Sequence, residues 1–165
     1  LVAGLSEAAG GLRPVKPENY HITIQFLGET SEEATRWLIE NMPRWFGKMK
    51  AVEIALEGLG AFPARGSPRV VWKGVSDPGS NLENLVELSR GPLESYGFAL
   101  DSRKFRPHVT VAYVERNTPR STGRLLREMI ANQGEERVRT VVGDVGLYES
   151  RPARGGSIYT PLLLL

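Results

Sequence analysis

The sequence predicts an α+β fold in one unit, and three observations carry that expectation. Segments of alternating apolar and polar residues interleave with segments of helical periodicity along the whole chain. The two halves follow a similar plan, each with a helix-like run and a strand that opens on a histidine. No low-complexity stretch or linker divides them, and 165 residues suffice for one domain or two small lobes sharing a core.

Taken in order, Leu1 to Ala9 reads as the end of an amphipathic helix closed by Gly10 and Gly11. Tyr20 to Leu27 reads as a strand stopped by Gly28. Thr30 and Glu33 have capping-box spacing, and Trp37, Leu38, Ile39 and Met42 continue a helix that Pro43 should end. Ala51 to Leu59 alternates imperfectly and reads as a strand, followed by a loop from Gly60 through Phe62 and Pro63 to Pro68. Arg69 to Val75 is a further strand.

In the second half, Asp77 and Pro78 open a helix carrying Leu82, Leu85, Val86, Leu88 and Leu93, which Gly91 and Pro92 should bend or break. Phe98 to Leu100 suits a short strand and His108 to Val114 a longer one. Thr118 and Pro119 start a helix with Leu125, Leu126, Met129 and Ile130, because proline is favoured in the first turn. Arg137 to Tyr148 and Ser157 to Leu164 read as late strands.

The chain's two histidines stand in matching phrases, His21-Ile22-Thr23-Ile24 and His108-Val109-Thr110-Val111. Threonine falls at a given position about once in twenty residues, so its appearance two places after both histidines is a chance event of order one in several hundred. Side chains at i and i+2 of a strand share a face. Each phrase therefore sets an imidazole beside a hydroxyl and turns Ile22, Ile24, Val109 and Val111 into the core. Two such strands around one cleft suit acid/base chemistry on a phosphate, since histidine as a residue type titrates near neutrality.

Composition narrows the chemistry. The absence of cysteine removes disulfides, thiolate metal sites and a thiol nucleophile. With two histidines a zinc site would need carboxylates for most of its ligands, so neither metal nor other cofactor is expected. A net charge of +2 is too small for a whole-surface nucleic-acid binder, which leaves local clusters: Arg13 with Lys16, Arg65 with Arg69, and Arg103-Lys104-Arg106 before the second phrase. Arg106 is the candidate of that last cluster for touching phosphate. No apolar run has the length of a membrane span and no signal-peptide pattern opens the chain, so a soluble, cytoplasmic protein is expected; a monomer is a separate expectation.

With the paired phrases placed, the chain resembles the 2H phosphoesterase superfamily, specifically the RNA 2',3'-cyclic phosphodiesterases first called 2'-5' RNA ligases. The resemblance rests on Leu12 to Gly28, on Phe105 to Ala112, on Gly60-Ala61-Phe62-Pro63 with Pro68 to Trp72, and on Leu147 to Ser150 with Ser157 to Tyr159. It implies a bilobal fold over residues 1–165, with two antiparallel sheets forming a central cleft and helices outside. The family's opening strand would precede Leu1, so that strand is expected to be missing.

The resemblance also implies hydrolysis of RNA or oligonucleotide ends carrying a cyclic phosphate, tRNA fragments among them, to 2'-phosphate ends. His21 would be the acid at the leaving 3'-oxygen and His108 the base that activates water, while Thr23 and Thr110 donate to phosphate oxygens. Tyr113 stands where relatives often carry arginine, and either offers a hydroxyl and a stacking face instead of a charged fork or serves as ordinary cleft packing. Phe62 is positioned to stack on a base or to anchor its loop. The alternatives are 2'-5' ligation, cleavage of 2'-5' oligonucleotides, a non-catalytic nucleotide or RNA binder, and two buried histidines of purely structural role.

Overall fold

A computed structural model describes residues 10–132, 134, 136–153 and 156–165. The helix end expected over Leu1 to Ala9 lies outside them. Among the described residues the strands are β1 (Leu12–Pro14), β2 (Val52–Phe62), β3 (Val70–Ser76), β4 (His108–Val114), β5 (Val138–Val142), β6 (Gly146–Ala153) and β7 (Gly156–Leu164). The helices are α1 (Glu32–Phe46), α2 (Asn81–Tyr96) and α3 (Arg120–Ala131), with a 3-10 turn at Pro17–Asn19. The fold is α+β with two antiparallel sheets: one in the order β1-β4-β3-β2-β5, the other the β6-β7 hairpin.

Several elements depart from the sequence expectation, each for a local reason. Ser31, not Thr30, caps α1: its hydroxyl accepts from the Ala34 amide at 3.2 Å. Neither Pro43 nor Pro92 ends its helix. An interior proline costs about 3 kcal/mol, but α1 buries Leu38, Met42 and Phe46 on one stripe and α2 buries Leu82, Val86, Ser89 and Leu93 on another. Packing of these stripes outweighs the lost bond. Leu88, whose carbonyl Pro92 deprives of a partner, stands on the exposed side of α2.

The imperfect alternation of Ala51 to Leu59 is a β-bulge: the register slips between Glu57 and Leu59, where Gly58 takes a φ of +58°. β2 then continues through Gly60 to Phe62, residues the sequence assigned to a loop, because they pair with Trp72 to Val70. Phe98 to Leu100 is not a strand; Phe98 and Leu100 pack instead onto the cluster around Leu38 and Leu93. The stretch Arg137 to Tyr148 divides into β5 and the start of β6, which belong to different sheets. Among the described residues Tyr20 to Leu27 makes one bridge, Ile22 to Val109, and so does not form a laddered strand there.

Three apolar clusters hold these parts. Val71, Val109, Val111, Ala112 and Val114 bury one face of the larger sheet against Leu126 of α3. Leu38, Met42, Phe46 and Leu93 join α1 and α2 to Leu147 and Leu163 of the hairpin. Val52, Ile54 and Leu82 lie between them, with Ile22, Ile24 and Phe105 packed alongside. Leu126 is 1% exposed, so Leu126→Ala is expected to cost about 2–5 kcal/mol in denaturant unfolding. No described helix is long and apolar enough to cross a membrane.

Candidate active site

The one bridge made by the first phrase determines how the two phrases meet. Ile22 and Val109 are antiparallel partners and both turn into the core beneath. Antiparallel register then sets His21 level with Thr110 and Thr23 level with His108, all four on the opposite face. Their exposure agrees: His21 and Thr23 are exposed, His108 and Thr110 half-buried, while Val109 and Val111 are buried. The sequence expectation that each phrase presents imidazole and hydroxyl together holds even where Tyr20 to Leu27 lacks a full ladder.

Both imidazoles are held by the same local device. His21 Nδ1 lies 2.8 Å from the carbonyl oxygen of Asn19, and His108 Nδ1 lies 2.7 Å from that of Arg106, each two residues back. A carbonyl can only accept, so Nδ1 carries the proton and donates in both cases. Nε2 of each ring is thereby left as the nitrogen that accepts or delivers a proton. The turn Pro17–Asn19 before one phrase and Pro107 before the other bring these carbonyls back toward the rings.

Aromatic groups wall the site on two sides. The Phe62 ring meets His108 edge-on at 5.2 Å between centroids, and Trp72 stands 5.9 Å from His108 and 5.3 Å from Phe62. Trp72 can lie there because its cross-strand partner is Gly60: a β-carbon on Gly60 would fall inside contact distance of three indole atoms. Gly60→Ala is expected to destabilise the protein by ~1–3 kcal/mol in denaturant unfolding and to shift the His108 ring signals in NMR. Unchanged ring signals would show that Trp72 does not support His108.

On the other side Tyr159 of β7 packs against His21, with centroids 4.7 Å apart and planes at 63°. Tyr159 also adjoins Tyr113, so it links the first phrase to the end of β4. Burial and the neighbouring Tyr159 phenol raise the Tyr113 pKa above that of an ordinary tyrosine. Tyr113 reaches this face because of a second irregularity. Between Val71–Ala112 and Trp72–Thr110 the register of β3 and β4 shifts, so Val111 and Ala112 are both buried and Tyr113 rejoins the face of His108 and Thr110.

The basic clusters resolve differently. Arg103 turns to Asp101, with its Nε 3.0 and 2.9 Å from the two carboxylate oxygens, and this arginine holds the Asp101 pKa down to about 2. Arg103 thus faces a carboxylate rather than the histidines. Arg106 contributes its carbonyl to His108 while its side chain is exposed. Arg13, which the sequence marked only as part of a cluster, stands directly opposite Tyr113 on β1. Trp72 and Tyr159 were not candidates from sequence. They close two of the segments on which the resemblance rests, but no local pattern marks them as site residues; the pairing of β2 with β3 and the return of β7 bring them to the site.

Comparison with known proteins points to one family. The family model for LigT-like phosphoesterases matches residues 1–72 and 74–159. The chain is 37% identical over 154 residues to the RNA 2',3'-cyclic phosphodiesterase of Aeropyrum pernix, covering 92% of this chain and 84% of that protein. It is also 37% identical over 160 residues to the protein of the same name from Archaeoglobus fulgidus, covering 96% and 86%. Among solved structures it resembles TT0787 of Thermus thermophilus (TM-score 0.67, 26% identity, 98% of this chain and 88% of that one). It shares its fold with Escherichia coli LigT complexed with 3'-AMP (TM-score 0.69, 24% identity, 99% and 87%).

Proposed function

Because the chain belongs to the LigT-like phosphoesterase family, we propose that it hydrolyses RNA 2',3'-cyclic phosphate ends to 2'-phosphate ends, with its two histidines as acid and base. The observation that supports this reading most is the matched pair of carbonyl-held imidazoles, each with a threonine hydroxyl level with it. Two inert core histidines would not need a common face or a common orientation. Relatives named RNA 2',3'-cyclic phosphodiesterase supply the substrate class.

The reaction uses the chain's own groups. His108 Nε2 takes a proton from water as the water oxygen bonds to phosphorus. The bond from phosphorus to the 3'-oxygen breaks, and His21 Nε2–H delivers its proton to that oxygen. Thr23 and Thr110 donate to the non-bridging oxygens as their charge grows. Tyr113 offers a further hydroxyl, Phe62 a face for the terminal base, and Arg106 an exposed cation for the RNA backbone. Residues 1–165 act as one catalytic unit in this scheme.

The test is to incubate the protein with an RNA ending in a 2',3'-cyclic phosphate, with and without a 5'-hydroxyl partner, and to map the product ends. A 2'-phosphate end is the expected product. A 3'-phosphate end would reverse the choice of leaving oxygen, joined products would make the protein a ligase, and nucleotide binding without turnover at any pH would make it a binding module.

A further inference from the structure

We propose that Arg13 is a phosphate-binding residue of the cleft, holding a phosphate oxygen of the RNA end in its guanidinium fork. The proposal rests on the functional reading above. Leu12 and Val114 pair across β1 and β4 and both turn to the core, so the next pair, Arg13 and Tyr113, points the other way. That is the face of the two phrases. The pairs Thr23 with His108, His21 with Thr110 and Arg13 with Tyr113 thus follow one another along the same edge of β4.

Arg13 is also unusual in what it lacks. Its Nε is buried and has no hydrogen-bond partner among the described residues. None of the ion pairs formed among the described residues includes it, which it shares with several exposed arginines; the buried, unpartnered Nε is what sets it apart. A cation half-buried with an unused donor is costly unless an anion completes it. Its charge is felt at the Tyr113 hydroxyl, where it opposes the effect of burial. The guanidinium fork matches two phosphate oxygens in a way that a point charge does not. Arg13 therefore adds a positive charge that does not depend on pH to a row of hydroxyls and imidazoles.

Two phosphates could supply the anion: the cyclic phosphate itself, or the diester that precedes the terminal nucleotide. Kinetics of Arg13→Gln and Arg13→Lys on adenosine 2',3'-cyclic phosphate and on a trinucleotide with the same end separate them. Arg13→Gln is expected to raise KM about tenfold or more, with Arg13→Lys intermediate, and to weaken inhibition by 2'-AMP if the cyclic phosphate is the ligand. Loss on both substrates identifies the cyclic phosphate, and loss on the trinucleotide alone identifies the diester. Unchanged KM for both substrates overturns the proposal, as does a fall in activity matched by a fall in Tm with KM unaltered. If the unaltered protein hydrolyses neither substrate, the functional reading itself fails.

Discussion

Replacing either histidine by alanine is expected to lower hydrolysis of an RNA 2',3'-cyclic phosphate by a factor of about 10² or more, with the melting temperature little changed. The two rings carry little of the core: His21 is exposed, His108 half-buried, and the residues between and beneath them are Ile22 and Val109. What each substitution removes is one Nε2 held in position through Nδ1. The pH profile tells the roles apart. The wild-type rate should be bell-shaped, because the base must be unprotonated and the acid protonated at once. His108→Ala should flatten the acid limb and His21→Ala the alkaline limb. The opposite pattern would exchange the assignments, and near-full activity in either variant would end the two-histidine mechanism.

Thr23→Val and Thr110→Val should each lower kcat by about 10²–10³ with a smaller change in KM. Valine keeps the shape of threonine and removes only the hydroxyl, so packing beside Ile22 and Val109 is preserved. A donor aimed at charge that grows in the transition state acts on kcat more than on binding of the ground state. Thr110 stands level with His21 and Thr23 with His108, so the double variant should lose less than the product of the single losses if both hydroxyls serve one phosphate. A rise in KM alone, with kcat intact, would make the threonines binding groups only.

The parts of the site that were legible in the sequence are those set by short-range periodicity. β4 spans the predicted His108 to Val114, and the two-residue alternation correctly put hydroxyl and imidazole on one face of each phrase. Other features depend on pairing that no local pattern encodes. The slip beside Val111 sends Tyr113 to the cleft face, three residues after Thr110, where strict alternation would have sent Ala112. Arg13, Trp72 and Tyr159 arrive from β1, β3 and β7 through long-range register. The prolines inside α1 and α2 misled for a related reason, since local cost was outweighed by tertiary packing.

The carbonyl contacts behind the two imidazoles bear on how this site tolerates sequence drift. The groups that orient His21 and His108 belong to the main chain of Asn19 and Arg106, not to their side chains. Whatever residue stands at either position presents the same oxygen, so the aim of both rings is insulated from side-chain changes at those two positions. A change that bends the backbone differently, such as loss of Pro17 or Pro107, reaches that aim, and so does one that displaces a flanking ring, as Gly60→Ala does through Trp72. Under the proposed mechanism, the side chains at positions 19 and 106 can therefore change while the contacts that orient both proton-transferring rings stay the same.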